Sequence, residues 1–249
     1  MDRRKFVRNS LVAAGAVAVV GGATSDVVKG LTASPTPFSK LPAAGFTFAR
    51  LRYGSGNWDA DPKMPSNILN SLVEYTSMRV NPNETVIDAS SDKLFDHPFI
   101  YLTGNKLIRF SGAERENLRR YLRNGGFMFV DDCNHDVDGV FAQTFENEIK
   151  AIMDRPGEQM RKLPKNHALY TAFFQFPEGP PPTSHELNGW GDDVVHDYLK
   201  AIEINGRIAV LYSNKDYGCE WNYDWSNKRF AAKDNTRFGV NIVVYALTH

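Results

Sequence analysis

The sequence is poor in cysteine, in net charge and in long apolar runs. Only two cysteines, Cys133 and Cys219, occur among 249 residues, and one pair does not make the disulfide framework of a small secreted domain. Lys and Arg equal Asp and Glu at 29 each, so no surplus of positive charge is available to neutralise phosphates, and we expect no nucleic-acid partner. A hydrophobic core must therefore hold the fold, and sixteen Phe, ten Tyr and four Trp supply it.

The apolar run near the N-terminus is too short to cross a membrane. Leu11 to Val20 is about half of the roughly 20 residues that span a bilayer, and it follows a charged segment and precedes small residues, the order of an export signal. The pair Arg3 and Arg4 with Phe6 resembles the twin-arginine signal. We therefore expect residues 1–25 to be a twin-arginine signal peptide. The protein is then periplasmic or secreted, and meets the membrane only through an uncleaved signal.

The rest of the chain reads as a linker followed by one α/β domain. Residues 26–45 are rich in Ser, Thr, Pro and Ala, which predicts a linker, and residues 46–249 form the domain. Helical and buried-strand patterns alternate, and this predicts a mainly parallel sheet with helices on both faces. Asn205-Gly206 between two apolar runs predicts an antiparallel hairpin at one edge of that sheet.

The clearest helix and strand signals of this domain lie in residues 111–130. Ser111 and Glu114 form a capping box at the start of an amphipathic helix, and the glycines at 125–126 allow the helix to end. Residues 127–130 then form a short apolar run, typical of a strand covered on both faces. Further strands are predicted at 46–51, 85–89, 99–103 and 160–163, helices at 66–76, 140–153 and 238–247, and a long polar and aromatic loop at 214–236.

Several segments together resemble an uncharacterised bacterial family, the domain of unknown function DUF4159. The matching residues cover nearly the whole predicted mature chain: Phe48 to Tyr53 with Trp58, His97 to Gly104, Gly125 to Asp132, Leu163-Pro164 with His167, Gly206-Arg207, Ala209-Val210, Tyr212-Ser213, Asp216 to Gly218, Gly239 to Asn241 and Tyr245 to Leu247. The resemblance implies a flavodoxin-like three-layer sandwich similar to the class I glutamine amidotransferases and their non-enzymatic relatives. It brings no established activity.

The amidotransferase likeness implies a nucleophile near Cys133, but the sequence departs from that pattern. A nucleophile elbow needs small neighbours, whereas Asp132 and Asn134 flank this cysteine. No His-x-Glu pair near the chain end offers a base and its orienting partner. The glutaminase triad is therefore not carried over. Catalysis, if any, has Cys133, His135 and Asp132 as its candidates, and a nucleophilic thiol needs a lowered pKa.

Polar residues follow the predicted strands where ligands bind in open α/β sheets, beyond their carboxyl ends. We expect a ligand site there, in a crevice that Cys133 and Asp216 share. Carboxylates just past a strand can instead hold the backbone N–H groups of a helix, and loop aromatics can instead roof the core. The predicted ligand-binding residues are Arg52, Trp58, Asp131, Asp132, Asp216 and Trp221.

Two further hypotheses concern the same edge of the sheet. A set of carboxylate, thiol and imidazole groups suits zinc or a similar divalent ion, and Asp132, Cys133, His135 and Cys219 are its candidate ligands. A disulfide between Cys133 and Cys219 needs the same proximity. The sequence thus favours an exported protein that binds a small molecule or a periplasmic protein, and leaves open a hydrolase that uses a metal ion or Cys133.

Overall fold

The computed structural model describes residues 45–134, 137–188, 195–222 and 232–249. The predicted signal peptide, the predicted linker up to residue 44 and His135 lie outside these ranges. The domain is built on one sheet of seven strands: β1 Ala49–Arg52, β2 Thr85–Asp88, β3 Phe99–Gly104, β4 Phe127–Asp132, β5 Arg161–Lys162, β6 Lys200–Ile204 and β7 Arg207–Ser213.

The sheet has the order β2-β1-β3-β4-β7-β6-β5. The first five strands in this order are mutually parallel, while β6 and β5 run antiparallel to their neighbours. The order 2-1-3-4 followed by the next parallel strand is the flavodoxin-like one, in which the winding direction reverses between β1 and β3. The predicted mainly parallel sheet with an antiparallel edge is confirmed.

Helices cover both faces of the sheet. Helices α1, α5 and α6 contribute to the core on one face, together with Phe129 of β4, and α2 and α3 contribute to the core on the other face, together with Val130. This gives the predicted three-layer sandwich. The helices are α1 Met64–Tyr75, α2 Gly112–Arg123, α3 Val140–Ile152, α4 Ser184–Asn188, α5 Tyr217–Asn222 and α6 Ala232–Thr248, with 3-10 turns at Asp92–Asp96 and Ala168–Thr171.

The central strands β3 and β4 are buried along their whole length. Since successive strand residues point to opposite faces, Phe127 and Phe129 face α1, α5 and α6, whereas Met128 and Val130 face α2 and α3. The same alternation separates the next two residues, Asp131 and Asp132, although they are neighbours in sequence.

The predicted hairpin is confirmed. Asn205 has a φ of 52° and Gly206 a φ of 76°, the two left-handed positions that a two-residue type I′ turn requires. Ile204 pairs with Arg207 directly across the turn. The turn sets the register of β6 against β7 and directs the chain into β7, whose carboxyl end lies beside that of β4.

The predicted capping box is confirmed, and the first predicted helix begins earlier than expected. The capping box of α2 is present, with Ser111 Oγ accepting from the Glu114 N–H. Helix α1 begins at Met64 instead of Ser66, whose hydroxyl donates to the Lys63 carbonyl, because proline in the first turn starts the helix earlier. Helix α3 begins at Val140, as predicted, with Gly139 as its N-cap.

The predicted loop at 214–236 contains a helix. Helix α5 interrupts it, and its aromatic residues Tyr217 and Trp221 are buried in the core. The predicted helix at 238–247 is confirmed as part of the longer α6. The loop prediction was wrong at α5 because this helix is too short for a helical period to show in its sequence. Burial of its side chains in the core stabilises it.

Candidate functional site

The carboxyl ends of the parallel strands meet at one edge of the sheet, and six polar side chains gather there. They come from the loop after β1, from β3, from the end of β4 and from the segment after β7. Their burial and short separations are described below. We call this group the edge cluster: Asp61, Tyr101, Asp131, Cys133, Asp216 and Cys219.

Arg50 positions the loop that carries Asp61. Its guanidinium is 2% exposed and pairs with Glu84 at 2.9 Å. It also donates to the carbonyl of Ala60 and, at 3.1 Å, to the carbonyl of Asp61 itself. Asp61 has a φ of 57°, a left-handed conformation that costs energy in a non-glycine residue unless neighbouring contacts hold it. The buried arginine supplies those contacts.

Asp131 joins the end of β4 to helix α5. One carboxylate oxygen accepts the N–H of Tyr217 at 3.2 Å and the other accepts the N–H of Gly218 at 2.5 Å. These bonds match the alternative prediction, that carboxylates at the end of a strand hold the backbone N–H groups of a helix. Asp131 is fully buried, and burial together with the charges of Asp216 and Asp61 raises its pKa. It therefore holds α5 against the sheet and adds an acidic group to the edge cluster.

Asp132 faces the other way. Its carboxylate accepts the Tyr212 hydroxyl at 3.0 Å and the Asn134 N–H at 3.1 Å, and it is fully buried. Strand alternation places it on the side of α2 and α3, away from Asp131. Of the predicted metal ligands, Asp132 lies on the face opposite to Cys133 and Cys219, which converge with other acids, and His135 lies outside the described residues.

Cys133 lies at the end of β4 among groups that keep its thiol protonated. Its sulfur is 2.9 Å from the Thr103 hydroxyl and 3.7 Å from Asp61 Oδ2. Burial raises the pKa of this thiol, and the negative charges of Asp216, Asp131 and Asp61 raise it further. A nucleophilic cysteine needs the opposite shift. Cys133 and Cys219 are both free thiols.

Asp216 and Cys219 bring the segment after β7 to Asp61. Asp216, with a φ of 53°, is 1% exposed, and its Oδ1 accepts the Cys219 N–H at 3.1 Å. One ligand atom from each of Asp61, Asp216 and Cys219 lies within 4.8 Å of the others. Burial and then the charges of Asp216 and Asp61 raise the pKa of the Cys219 thiol.

Asp61 is the least buried of the three carboxyl groups in the edge cluster, so its titration is the easiest to measure. Burial, followed by the charge of Asp216, raises its pKa to about 6, while hydrogen bonds from Cys133 and Cys219 and the charge of Arg50 oppose the rise. Its pKa in the unfolded chain is near 3.9. The folded state therefore holds a proton that the unfolded state releases between about pH 4 and pH 6.

We expect Asp61→Asn to stabilise the metal-free protein at neutral pH. The stability of the unmodified protein should fall as pH rises from 4 to 6, because the folded state binds the extra proton there. The variant lacks this titration, so its advantage should grow through the same window and then stay constant at ~1–2 kcal/mol, discounted for partial exposure. Urea unfolding in chelator at several pH values measures the difference. Two parallel stability curves would contradict the assignment.

Arg52 and Trp58 are two further predicted ligand-binding residues, and they lie close together. Arg52 lies at the carboxyl end of β1, half exposed, with its guanidinium in a bidentate pair with Asp88 at 2.5 and 2.7 Å. Its Cζ is 6.0 Å from the partly buried ring of Trp58. Both residues are at the predicted edge, but their charges and rings are already engaged with the protein.

Trp221 was expected in a ligand-binding loop, and this is corrected. It lies in α5, is 2% exposed, stacks with Tyr217 at 5.8 Å between ring centroids and donates its Nε1–H to the Asn235 carbonyl at 2.8 Å. It is a core residue that fixes α5 against the sheet. Three other loop aromatics considered for binding, Trp190, Tyr223 and Trp225, lie outside the described residues.

Sequence reasoning missed Asp61, Tyr101 and Arg50. Asp61 stood in the loop after β1, and the rule that ligands bind beyond strand ends could have found it, as it found Asp216. Tyr101 lies in the middle of an apolar strand, where a tyrosine looks like a packing residue. Arg50 gave no sign of burial, because arginine is almost never fully buried unless it is paired.

The sheet order, the three layers and the edge cluster define this chain as a flavodoxin-like α/β protein with a candidate site beside its topological switch point. Within the described residues, no helix has both the length and the apolar character to cross a membrane. The family model named domain of unknown function DUF4159 matches residues 47–247. The chain belongs to this family. No curated protein matches it. Function must therefore be argued from the site.

Proposed function

We propose that this protein is exported by the twin-arginine route and binds a small, positively charged ligand in the crevice at the edge cluster, without glutaminase chemistry. The convergence of Asp61, Asp131 and Asp216 at the sheet's switch point is the observation that carries the proposal. Export is supported by the order of charged, apolar and small residues at the N-terminus.

The position of the cluster supports ligand binding. In open α/β sheets, ligands bind outside the carboxyl ends of the strands where the strand order reverses. Here Asp61 follows β1 and Tyr101 lies in β3, the two strands on either side of that reversal. Asp131 and Asp216 come from the next strands of the sheet.

The composition of the cluster supports a cationic ligand. Three carboxyl groups and two thiols share a largely buried space, and bringing like charges together out of water is costly unless they are protonated or paired with a cation. Arg50 is the cation that lowers the pKa of Asp61, and it already forms a salt bridge with Glu84. A bound cation offsets the remaining repulsion. Because Asp131 and Asp216 are almost fully buried, the ligand is small.

The surroundings of Cys133 argue against glutaminase chemistry. The residue occupies roughly the place expected of the nucleophile in the amidotransferase-like fold, but burial, and then the charges of three carboxylates, raise the pKa of its thiol. A thiolate there would face Asp216, Asp131 and Asp61. An acyl transfer reaction also needs a base to activate its nucleophile, and the sequence offers no His-x-Glu pair for that role.

A hydrolase that uses a metal ion at the same edge is the second candidate. The grouping of Asp61, Asp216 and Cys219 favours it over a cysteine hydrolase, since carboxylates and a thiol can hold a divalent ion but do not activate Cys133. In such an enzyme, Cys133 is not a catalytic residue.

The binding proposal predicts that cations, and not anions, stabilise the exported protein. The full chain is expressed in a host with a twin-arginine system, recovered from the periplasmic fraction, and heated with spermidine, arginine, zinc or magnesium and with glutamate or phosphate as opposite-charge controls. A cation at 100 times its dissociation constant should raise the melting temperature by about 5–10 °C.

Matched variants locate the effect. Asp216→Asn should remove the stabilisation, whereas Asp59→Asn, which neutralises an exposed acid in the loop that carries Asp61, should retain it. Equal stabilisation by anions, or an undiminished effect in Asp216→Asn, would refute binding at the edge cluster. Recovery of the chain only from the cytosol would refute export and leave the binding test intact.

A further inference from the structure

We propose that Asp61, Asp216 and Cys219 bind one zinc ion at the carboxyl edge of the sheet. The inference rests on the proposed function, because it names the cation for the same crevice. It also changes the ligand set expected from the sequence, since Asp132 is excluded and Asp61 is brought in.

The three ligand atoms are close enough to converge on one ion. They lie within 4.8 Å of one another. Zinc binds carboxylate oxygen at about 2.0–2.2 Å and thiolate sulfur at about 2.3 Å, so neighbouring ligands of a tetrahedral site are about 3.3–3.8 Å apart. Contraction of the present spacing by up to about 1.5 Å closes the site, and rotation of two aspartate side chains and one cysteine side chain can supply it.

The donor set selects zinc over the hard cations. Magnesium and calcium prefer all-oxygen sites with six or more ligands, whereas a thiolate favours softer ions, zinc among them. Two carboxylates and one thiolate are three protein ligands, which leaves a fourth tetrahedral position. Cys133 lies beside these ligands, with its sulfur 3.7 Å from Asp61 Oδ2. When zinc binds, the Cys219 thiol releases its proton to solvent as the metal–sulfur bond forms.

An unsatisfied hydroxyl points into the same space. Tyr101 is fully buried, and among the described residues its hydroxyl has no hydrogen-bond partner. An ideal Cβ built on Gly218 would lie 2.6 Å from this hydroxyl, 2.8 Å from Asp61 Oδ2 and 3.1 Å from Asp131 Oδ2. A buried hydroxyl without a partner costs about 1–3 kcal/mol. A water or other ligand at the fourth position of the ion would give Tyr101 the partner it lacks.

The protein holds the two arms of the site in place before any ion binds. Arg50 anchors the loop of Asp61 by its backbone carbonyls, and Asp131 anchors the start of α5, which carries Cys219, through two backbone N–H groups. Gly218 keeps the space between the arms free of a side chain. Ligands held by such second contacts bind a metal more tightly than flexible ones.

The test is metal titration of the purified full chain after chelation and reduction. Calorimetry should show one zinc ion per chain, and cobalt(II), used as a spectroscopic substitute, should give a near-ultraviolet sulfur-to-metal charge-transfer band. Cys219→Ser should abolish the band. Asp61→Asn should weaken zinc binding at least about tenfold, while Asp59→Asn should bind zinc like the unmodified protein.

Folding defects do not obscure the result. The melting curve of metal-free Asp61→Asn shows whether this variant is folded. Loss of zinc binding in the folded variant is direct support, and Cys219→Ser decides the question if Asp61→Asn does not fold. Absence of stoichiometric zinc binding overturns the proposal, and so does a charge-transfer band that survives Cys219→Ser. If spermidine or arginine still stabilises the protein while zinc does not, only the zinc site is wrong. If neither stabilises it, the proposed function fails as well.

Discussion

Arg50→Met is expected to lower the free energy of unfolding by ~3–5 kcal/mol, since it leaves two loop carbonyls without their donor and the partly exposed Glu84 without its buried cationic partner. The guanidinium is almost fully buried, pairs with Glu84 and donates to the carbonyls of Ala60 and Asp61. Methionine matches its length but satisfies none of these groups. A melting temperature lower by about 6–20 °C should follow, together with weaker cation binding, because the loop that carries Asp61 loses its anchor.

Arg52→Met is the matched control. Arg52 lies two residues further along the same strand, and its ion pair with Asp88 is shorter, at 2.5 Å against 2.9 Å for Arg50 and Glu84, but both of its side chains are 49% exposed. Exposed ion pairs add little to stability, so this variant should melt close to the unmodified protein. Similar melting temperatures for the two variants would mean that Arg50 does not hold the loop, and the position of Asp61 would need another explanation.

Gly218→Ala is expected to weaken zinc or other cation binding by roughly 10- to 100-fold, the equivalent of about 1–3 kcal/mol of overpacking. The new methyl group would enter the edge cluster and meet the Tyr101 hydroxyl and Asp61 Oδ2 at distances that atoms do not tolerate. Alanine favours a helix more than glycine does, and this offsets part of the strain. We therefore expect a folded protein with net destabilisation below about 2 kcal/mol.

Two variants separate blockage of the site from general effects of the substitution. Gly112→Ala introduces the same methyl group at the start of α2, where no atom lies within 4 Å, and should leave binding unchanged. Tyr101→Phe removes the unpartnered hydroxyl without adding volume, so it should fold at least as well and bind a few-fold more weakly. Undiminished cation affinity in Gly218→Ala would show that the ligand does not occupy this space.

The edge cluster is unfavourable for stability in the absence of a ligand. Burial and the charge of Asp216 raise the pKa of Asp61, and the same causes raise the pKa of Asp131. Groups that oppose folding in this way are typical of functional sites, where the arrangement needed for binding conflicts with stability. The stability gained in Asp61→Asn measures how much the buried acid destabilises the fold. The stability lost in Arg50→Met measures how much Arg50 contributes by holding the loop of that acid.

The strands that flank the site were predictable because they are short apolar runs. The run 127–130 carries its own signature, and so does the Asn-Gly turn between β6 and β7. The convergence of Asp216 and Cys133 at one edge was also predictable, because parallel strands end on the same side of a sheet. The separation of Asp132 from Asp131 was not foreseen, although a one-residue step along a strand reverses the face.

The sequence by itself determined the alternation of helices and strands, the hairpin and the sheet edge at which polar residues collect, because these follow from local periodicity and turn chemistry. Only the tertiary structure decided which acids meet. Asp61, Tyr101 and Gly218 come from three separate segments, and Arg50 acts through backbone carbonyls of a loop. Contacts of this kind depend on how distant segments pack, and no pattern within a single segment encodes them.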